Sequence, residues 1–206
     1  MARFFDLHPE NPQTRSLSHI AEILQAKGLI AYPTDSLYAL GCSLGNREGK
    51  ERILRLRGLD ERHDFTLMCA DFAQMGQFVH MSNRVFRAVK KLTPGPYTFI
   101  FPATKEVPRQ FLNPRKKTVG VRIPDHTFVQ ALLSHVGHPI LSSTLLLQNE
   151  SEPLVDGWQI KEALDHELDA VIDCGEVGGE PTTVIEFHDD QPIIHREGAG
   201  DTAPFL

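Results

Sequence analysis

The stretch richest in chemical groups is Tyr32-Pro33-Thr34-Asp35-Ser36-Leu37-Tyr38-Ala39-Leu40-Gly41. An apolar strand runs into a Pro-Thr-Asp turn and re-emerges with a tyrosine and a glycine. A turn at a strand end offers hydroxyls and backbone amides to a ligand, because the ladder does not consume them. The same residues also describe an ordinary hairpin corner, and the segment alone leaves both readings open. His135 and His138 stand three apart near a helix end, a spacing that can pair on a metal. No third ligand is near and Pro139 breaks the helix, so no tightly bound metal is expected. The familiar loops are absent: no GxxxxGK followed by Ser or Thr, no GxGxxG, no HExxH and no GxSxG.

Charge supplies a second lead. The 206 residues carry a net charge of −6, but residues 84–122 hold ten Lys or Arg against one acid, Glu106. Residues 123–206 hold two basic residues against sixteen acids. A basic block inside an acidic chain suggests a surface for an anion, nucleic acid first, although such runs are as often merely solvated. Its candidate RNA contacts are Lys90, Lys91, Arg109, Arg115, Lys116 and Lys117.

These groups need a scaffold, and the pattern of apolar residues predicts one. Helices are expected at Ser16–Lys27, at Asn46–Arg57 between an Asn cap and Gly58, and at Ser82–Leu92 before Thr-Pro-Gly-Pro. Two more are expected from an Asp125 cap to Val136 and near Ile160–His166. Strands are expected at Leu29–Pro33, Leu37–Leu44, Phe65–Cys69, Tyr97–Phe101, Thr118–Ile123, Ile140–Leu147, Ala170–Asp173, Thr182–Phe187 and Pro192–Arg196. Interleaved helices and strands, with consecutive strands late in the chain, argue an α/β sheet of mixed direction. With 41% hydrophobic and 23% charged residues, disorder and a disulfide scaffold are excluded. Three widely spaced cysteines, no apolar run near the ~20 residues of a membrane span and no signal-like start predict a single cytoplasmic domain over residues 1–206.

Five segments resemble one family in order and spacing. YPTDSLYALG at 32–41 is similar to YPTDTVYGLG, the opening signature of the YrdC/YciO family. PGPYTFI at 94–100, VGVRIPDH at 119–126, GGEPTTVIEF at 178–187 and HREGAG at 195–200 resemble its later motifs. The motif-bearing part is about 18–200, and the FFDLHPENPQ start, RLRGLDERHDFTLMC and the GDTAPFL end are most similar to the YciO branch. The resemblance implies a YrdC-like (RibB-like) α/β fold: a twisted mixed parallel/antiparallel sheet flanked by helices, with a basic concave face. It implies a relation to threonylcarbamoyl-adenylate synthases, nucleotidyltransferase-like enzymes that join threonine, bicarbonate and ATP for tRNA modification. Mg2+ would accompany ATP, and double-stranded RNA or tRNA would be a partner.

Carried onto this chain, the resemblance places Thr34, Tyr38, Arg122 and Thr182 around the amino acid, and Cys69 where the family often has His. Arg196 and Thr118 would face the nucleotide. Arg57 and Thr144 fall at the Lys and Ser of the family's Lys-x-Arg and Ser-x-Asn tetrad, while Leu59 and Leu146 replace its Arg and Asn. Arg for Lys changes a compact ammonium to a planar fork, and one lost charge-stabilising donor commonly costs ~10²–10³ in rate. The expectation is therefore an ATP- and RNA-binding protein with weak or altered synthase activity. Two alternatives stand beside it: a non-catalytic binder of double-stranded RNA, tRNA or rRNA, and a carbamoyl-transferring or nucleotide-hydrolysing enzyme.

Overall fold

Leu17, Ile20, Ala21 and Leu24 recur at helical spacing, and all four are buried on α1, Thr14–Gln25. Asn46 caps α2, Arg47–Arg57, by accepting the Gly49 N–H at 2.9 Å; Gly58 ends it in the left-handed region at φ 63°. Ser82 caps α4, Asn83–Lys90, in the same manner. The other helices are α3, Phe72–Phe78, α5, Thr127–Val136, and α6, Gly157–Leu164. Asp125 does not cap α5: that place falls to His126, and the Asp125 N–H donates to the Asp35 carboxylate at 3.0 Å.

Ten strands make one sheet in this computed structural model, which describes residues 1–206. They are β1 Arg3–Asp6, β2 Ile30–Tyr32, β3 Ala39–Ser43, β4 Thr66–Met68 and β5 Tyr97–Pro102. β6 Thr118–Arg122, β7 Ile140–Thr144, β8 Ala170–Asp173, β9 Thr183–His188 and β10 Gln191–Arg196 complete them. Their order is β1-β8-β2-β3-β7-β4-β6-β5-β9-β10. Four pairs are parallel (β1 with β8, β8 with β2, β4 with β6, β5 with β9) and the other five antiparallel, so the sheet is mixed as expected. One row of paired residues crosses every strand: Arg3, Ala170, Ile30, Gly41, Ser142, Thr66, Gly120, Ile100, Glu186, Ile193.

Because side chains alternate across a strand, the two faces differ. Leu40, Leu67, Phe99, Phe101, Val119, Val121 and Ile185 point into the main core, closed by α2, α3, α4 and α6. Ile30, Tyr32, Ala39, Met68, Ile140 and Ile172 point the other way, into a second core closed by α1 and α5. Those two helices cover that face from Phe5 on β1 across to Ile140 on β7 and Met68 on β4, and beyond them it lies open. No helix is long and apolar enough to cross a membrane.

Candidate functional site

The open part of the face is a hollow of about 440 Å³. Its floor follows the register row: Thr66 on β4, Gly120 on β6, Ile100 on β5 and Glu186 on β9 all line it. Thr98, Thr118, Thr182 and Val184 complete the floor, and Arg57, Arg62, Lys116 and Arg196 bring positive charge against Asp64 and Glu186. Only two of its seventeen lining residues are hydrophobic, so it is built for a polar, anionic ligand. A recess of about 30 Å³ shares Thr66, Thr98, Ser143, Thr144 and Thr182 with the hollow and ends on Ser36 and Arg122.

Arg122 is only 4% exposed and pairs with Asp35. Burial pulls its pKa down, and the Asp35 carboxylate partly restores it. Its Nε is buried without a partner, as is Thr118 Oγ1. An unanswered buried donor is costly, about 1–3 kcal/mol, so both atoms point to a ligand group that would satisfy them.

Three further clusters ring the hollow. The Arg196 Nε donates to the Thr182 carbonyl at 2.9 Å and its Nη2 to Thr182 Oγ1 at 3.1 Å, while Thr182 and Thr98 hydroxyls meet at 2.9 Å. Lys116 Nζ and His195 Nε2 both reach Glu186 Oε2, at 2.9 and 2.5 Å. Burial pushes the Glu186 pKa up, but those two partners outweigh it and hold the carboxyl below its ordinary value. Arg57 Nη1 donates to Ser143 Oγ at 2.6 Å, and His63 Nε2 meets the same oxygen at 2.8 Å. Burial first, and the Arg57 charge second, lower the His63 pKa to about 4, leaving a neutral imidazole near neutral pH.

Local sequence explains the placement. β4 is three residues long and its ladder with β7 stops at Thr66 opposite Ser142, so Ser143 and Thr144 run past it into the hollow. Arg57 is the last residue of α2, and the Gly58 turn leaves its side chain free to reach over that gap.

The structure therefore brings together Arg57, Thr118, Thr144, Thr182, Arg196 and Lys116 in the hollow, with Arg122 and Tyr38 at the recess. It keeps two expected contacts away. Thr34 spends its hydroxyl on its own turn, donating to the Leu37 carbonyl at 2.6 Å and accepting the Ser36 N–H, and Ser36 lines the recess instead. Cys69 is fully buried in the main core, because it shares the parity of Leu67 rather than of Thr66 and Met68.

The basic block is also divided. Lys90 and Lys91 belong to α4 and its C-cap, on the far side of the sheet, and Arg109 lies on a short turn beside the core residue Phe111. Arg115 and Lys117 are exposed on the loop that carries Lys116, and Lys117 Nζ is turned onto the Pro114 carbonyl. Leu59 packs against the main core, and neither it nor Leu146 lines the hollow. Sequence reasoning missed His63, Ser143, Glu186 and His195. The one available signal was Ser143 beside Ser142 in an otherwise apolar strand.

A mixed ten-stranded α/β sheet with one open, hydroxyl- and arginine-lined hollow defines the architectural class, and comparison supplies the family. The Sua5/YciO/YrdC family model, described as telomere recombination, matches residues 22–198, and the chain belongs to that family. It is 46% identical over its whole length to an uncharacterized protein of Haemophilus influenzae that it also covers completely. It is similar to the uncharacterized protein YciO of Escherichia coli, at 45% identity with all of both chains covered. The crystal structure of E. coli YciO superposes with a TM-score of 0.96 over 100% of both chains. A threonylcarbamoyl-AMP synthase of Nitrosococcus oceani is 35% identical over 60% of this chain and 67% of its own. P. abyssi Sua5, solved with L-threonine, shares the fold at a TM-score of 0.85 and 23% identity, over 95% of this chain and 57% of that one.

Proposed function

We propose that the hollow binds ATP with its phosphates against Arg57, Lys116 and Arg196, and that the recess takes the carboxylate of threonine or a similar amino acid at Arg122. The observation that carries this reading is the pairing of an open cationic hollow with a recess ending on a buried arginine whose Nε has no partner. Arginine forks suit phosphate and carboxylate oxygens. The relation to threonylcarbamoyl-AMP synthases, and the L-threonine in P. abyssi Sua5, support the choice of ligands. Bicarbonate would complete the substrate set. Leu59 and Leu146 stand where two polar tetrad members would be, so the synthase reaction is weak or altered.

No cluster of three or more His, Cys, Asp or Glu is placed to hold a metal ion, and Glu186 is committed to Lys116 and His195. Mg2+ therefore fits as a companion of the ATP phosphates rather than as a resident ion. It would neutralise phosphate charge there. A second reading, a non-catalytic binder of double-stranded RNA or tRNA, draws on the exposed loop of Arg115, Lys116 and Lys117 at the rim. The division of the other basic residues across the sheet counts against a continuous RNA track.

Calorimetric titration with MgATP, with and without threonine and bicarbonate, tests the first reading. Saturable binding is expected, tightened by threonine and weakened ~10- to 100-fold by Arg196→Ala, the range for a lost charged hydrogen bond. Wild-type protein that binds RNA but gives no heat with MgATP would transfer the case to the second reading.

A further inference from the structure

The Ser143–His63–Arg57 cluster has no part in the nucleotide reading beyond the charge of Arg57. Its geometry is that of an activated hydroxyl. His63 Nε2 lies 2.8 Å from Ser143 Oγ and Arg57 Nη1 lies 2.6 Å from the same oxygen. Both Ser143 and His63 line the hollow. A guanidinium donor can only give a hydrogen bond to Oγ, so the Ser143 proton is free to point at the imidazole lone pair. The His63 ring is fixed edge-on against Phe65, with centroids 4.9 Å apart.

We propose that Ser143 is a nucleophile with His63 as its base, and that the pair hydrolyses acyl groups carried on phosphate, through an acyl-Ser143 intermediate. The proposal rests on reading the hollow as a phosphate site. The serine Oγ forms a bond to the acyl carbon, its proton passes to His63 Nε2, and the carbon–oxygen bond to phosphate breaks, the phosphate leaving with the electron pair toward Arg196 and Lys116. His63 then releases that proton to solvent; water adds to the acyl carbon, its proton passing through the neutral imidazole to Oγ as the Oγ–carbon bond breaks. The sum is a mixed anhydride plus water giving a carboxylate, a phosphate and a proton, with no redox change. Arg57 stabilises the charge that develops on Oγ.

The substrate class follows from the cations that line the hollow with Ser143, and the base agrees with it. An imidazole held neutral by burial and by a neighbouring arginine is a weak base. A weak base suits an electrophile whose leaving group departs without much help. Phosphate is such a group; the amine of an amide is not. Lys116 and Arg196, which line the same hollow, suit a departing phosphate as well.

The probe is acetyl phosphate. Its loss is followed by hydroxamate formation, and intact-protein mass spectrometry looks for one added acetyl group. Wild type is expected to hydrolyse it and to show the adduct on Ser143. Ser143→Ala should remove the adduct and at least ~100-fold of the rate, and His63→Gln should slow adduct formation similarly. Ser143→Cys keeps a nucleophile and should give a hydroxylamine-labile thioester, which preserves the test if the alanine variant does not fold. Hydrolysis unchanged in Ser143→Ala, or an adduct on another residue, overturns the proposal. So does a wild-type protein that binds MgATP yet leaves acetyl phosphate untouched, and this result spares the nucleotide reading. Acetylation of Ser143 in a protein that does not bind MgATP would uphold the pair and sink the nucleotide reading.

Discussion

The same face of the same sheet is sealed on one side and open on the other, and the two regions are built from the same strands. On β4, Met68 lies under the helices and Thr66, two residues back, floors the hollow. On β7, Ile140 is covered and Ser142 borders the recess. A strand crossing the boundary changes from apolar to polar without changing face. The hollow is therefore where helical cover stops, and its chemistry was set by the residues left uncovered there.

The sharpest way to break this contrast is to remove cover. Phe128 of α5 is fully buried in the second core. Phe128→Ala should destabilise the fold by about 3–5 kcal/mol in urea unfolding while leaving MgATP affinity of the remaining folded protein within ~2-fold. A large loss of affinity in protein that remains folded would mean that the two regions are not separable. Next in size is a change on the open side. A Cβ at Gly120 would sit 3.0 Å from Thr66 Oγ1, 3.1 Å from the Phe65 carbonyl and 3.3 Å from Thr98 Cγ2. Gly120→Ala should raise the floor and weaken MgATP by ~10-fold, with a stability change well below that of Phe128→Ala. Equal losses in both measurements would show the floor to be a packing site instead.

The remaining test is titration. His63 has a folded pKa of about 4 against an ordinary 6.5, so the unfolded chain takes its proton first as pH falls. Its contribution to stability is whole above about pH 6.5 and is lost as pH drops toward 4. The fall in Tm between pH 7 and pH 4.5 should be smaller in His63→Gln than in wild type. Equal falls would mean that other groups carry the acid sensitivity.

Most of the elements were legible because they are local. Asn46, Gly58, Ser82 and Gly137 mark helix ends by their own side chains or backbone freedom. β1 was not legible: Phe4 and Phe5 become a strand only by pairing with β8, far along the chain. α3 is seven residues with a glycine inside, too short for a period to show. In the site, Arg57, Thr118, Thr144, Thr182 and Arg196 were found by resemblance, since their motifs are contiguous. His63 and Ser143 become a pair only in three dimensions, 80 residues apart. Cys69 misled because a motif gives position but not strand parity. The basic block misled because a run of charge says nothing about which side of a sheet each residue takes; three of the four cations in the hollow, Arg57, Arg62 and Arg196, come from outside it.

The pairing order also sets a timetable. β2 waits for β8, and β5 for β9, so both wings of the sheet need the last third of the chain. During synthesis from the N-terminus, Thr182, Val184, Glu186, His195 and Arg196 emerge after every other lining residue of the hollow. Long-range pairing of this kind slows folding and leaves unpaired edges exposed meanwhile. A nascent chain therefore holds β5 as a bare edge until β9 arrives, and the hollow is complete only once Arg196 at the end of β10 has emerged.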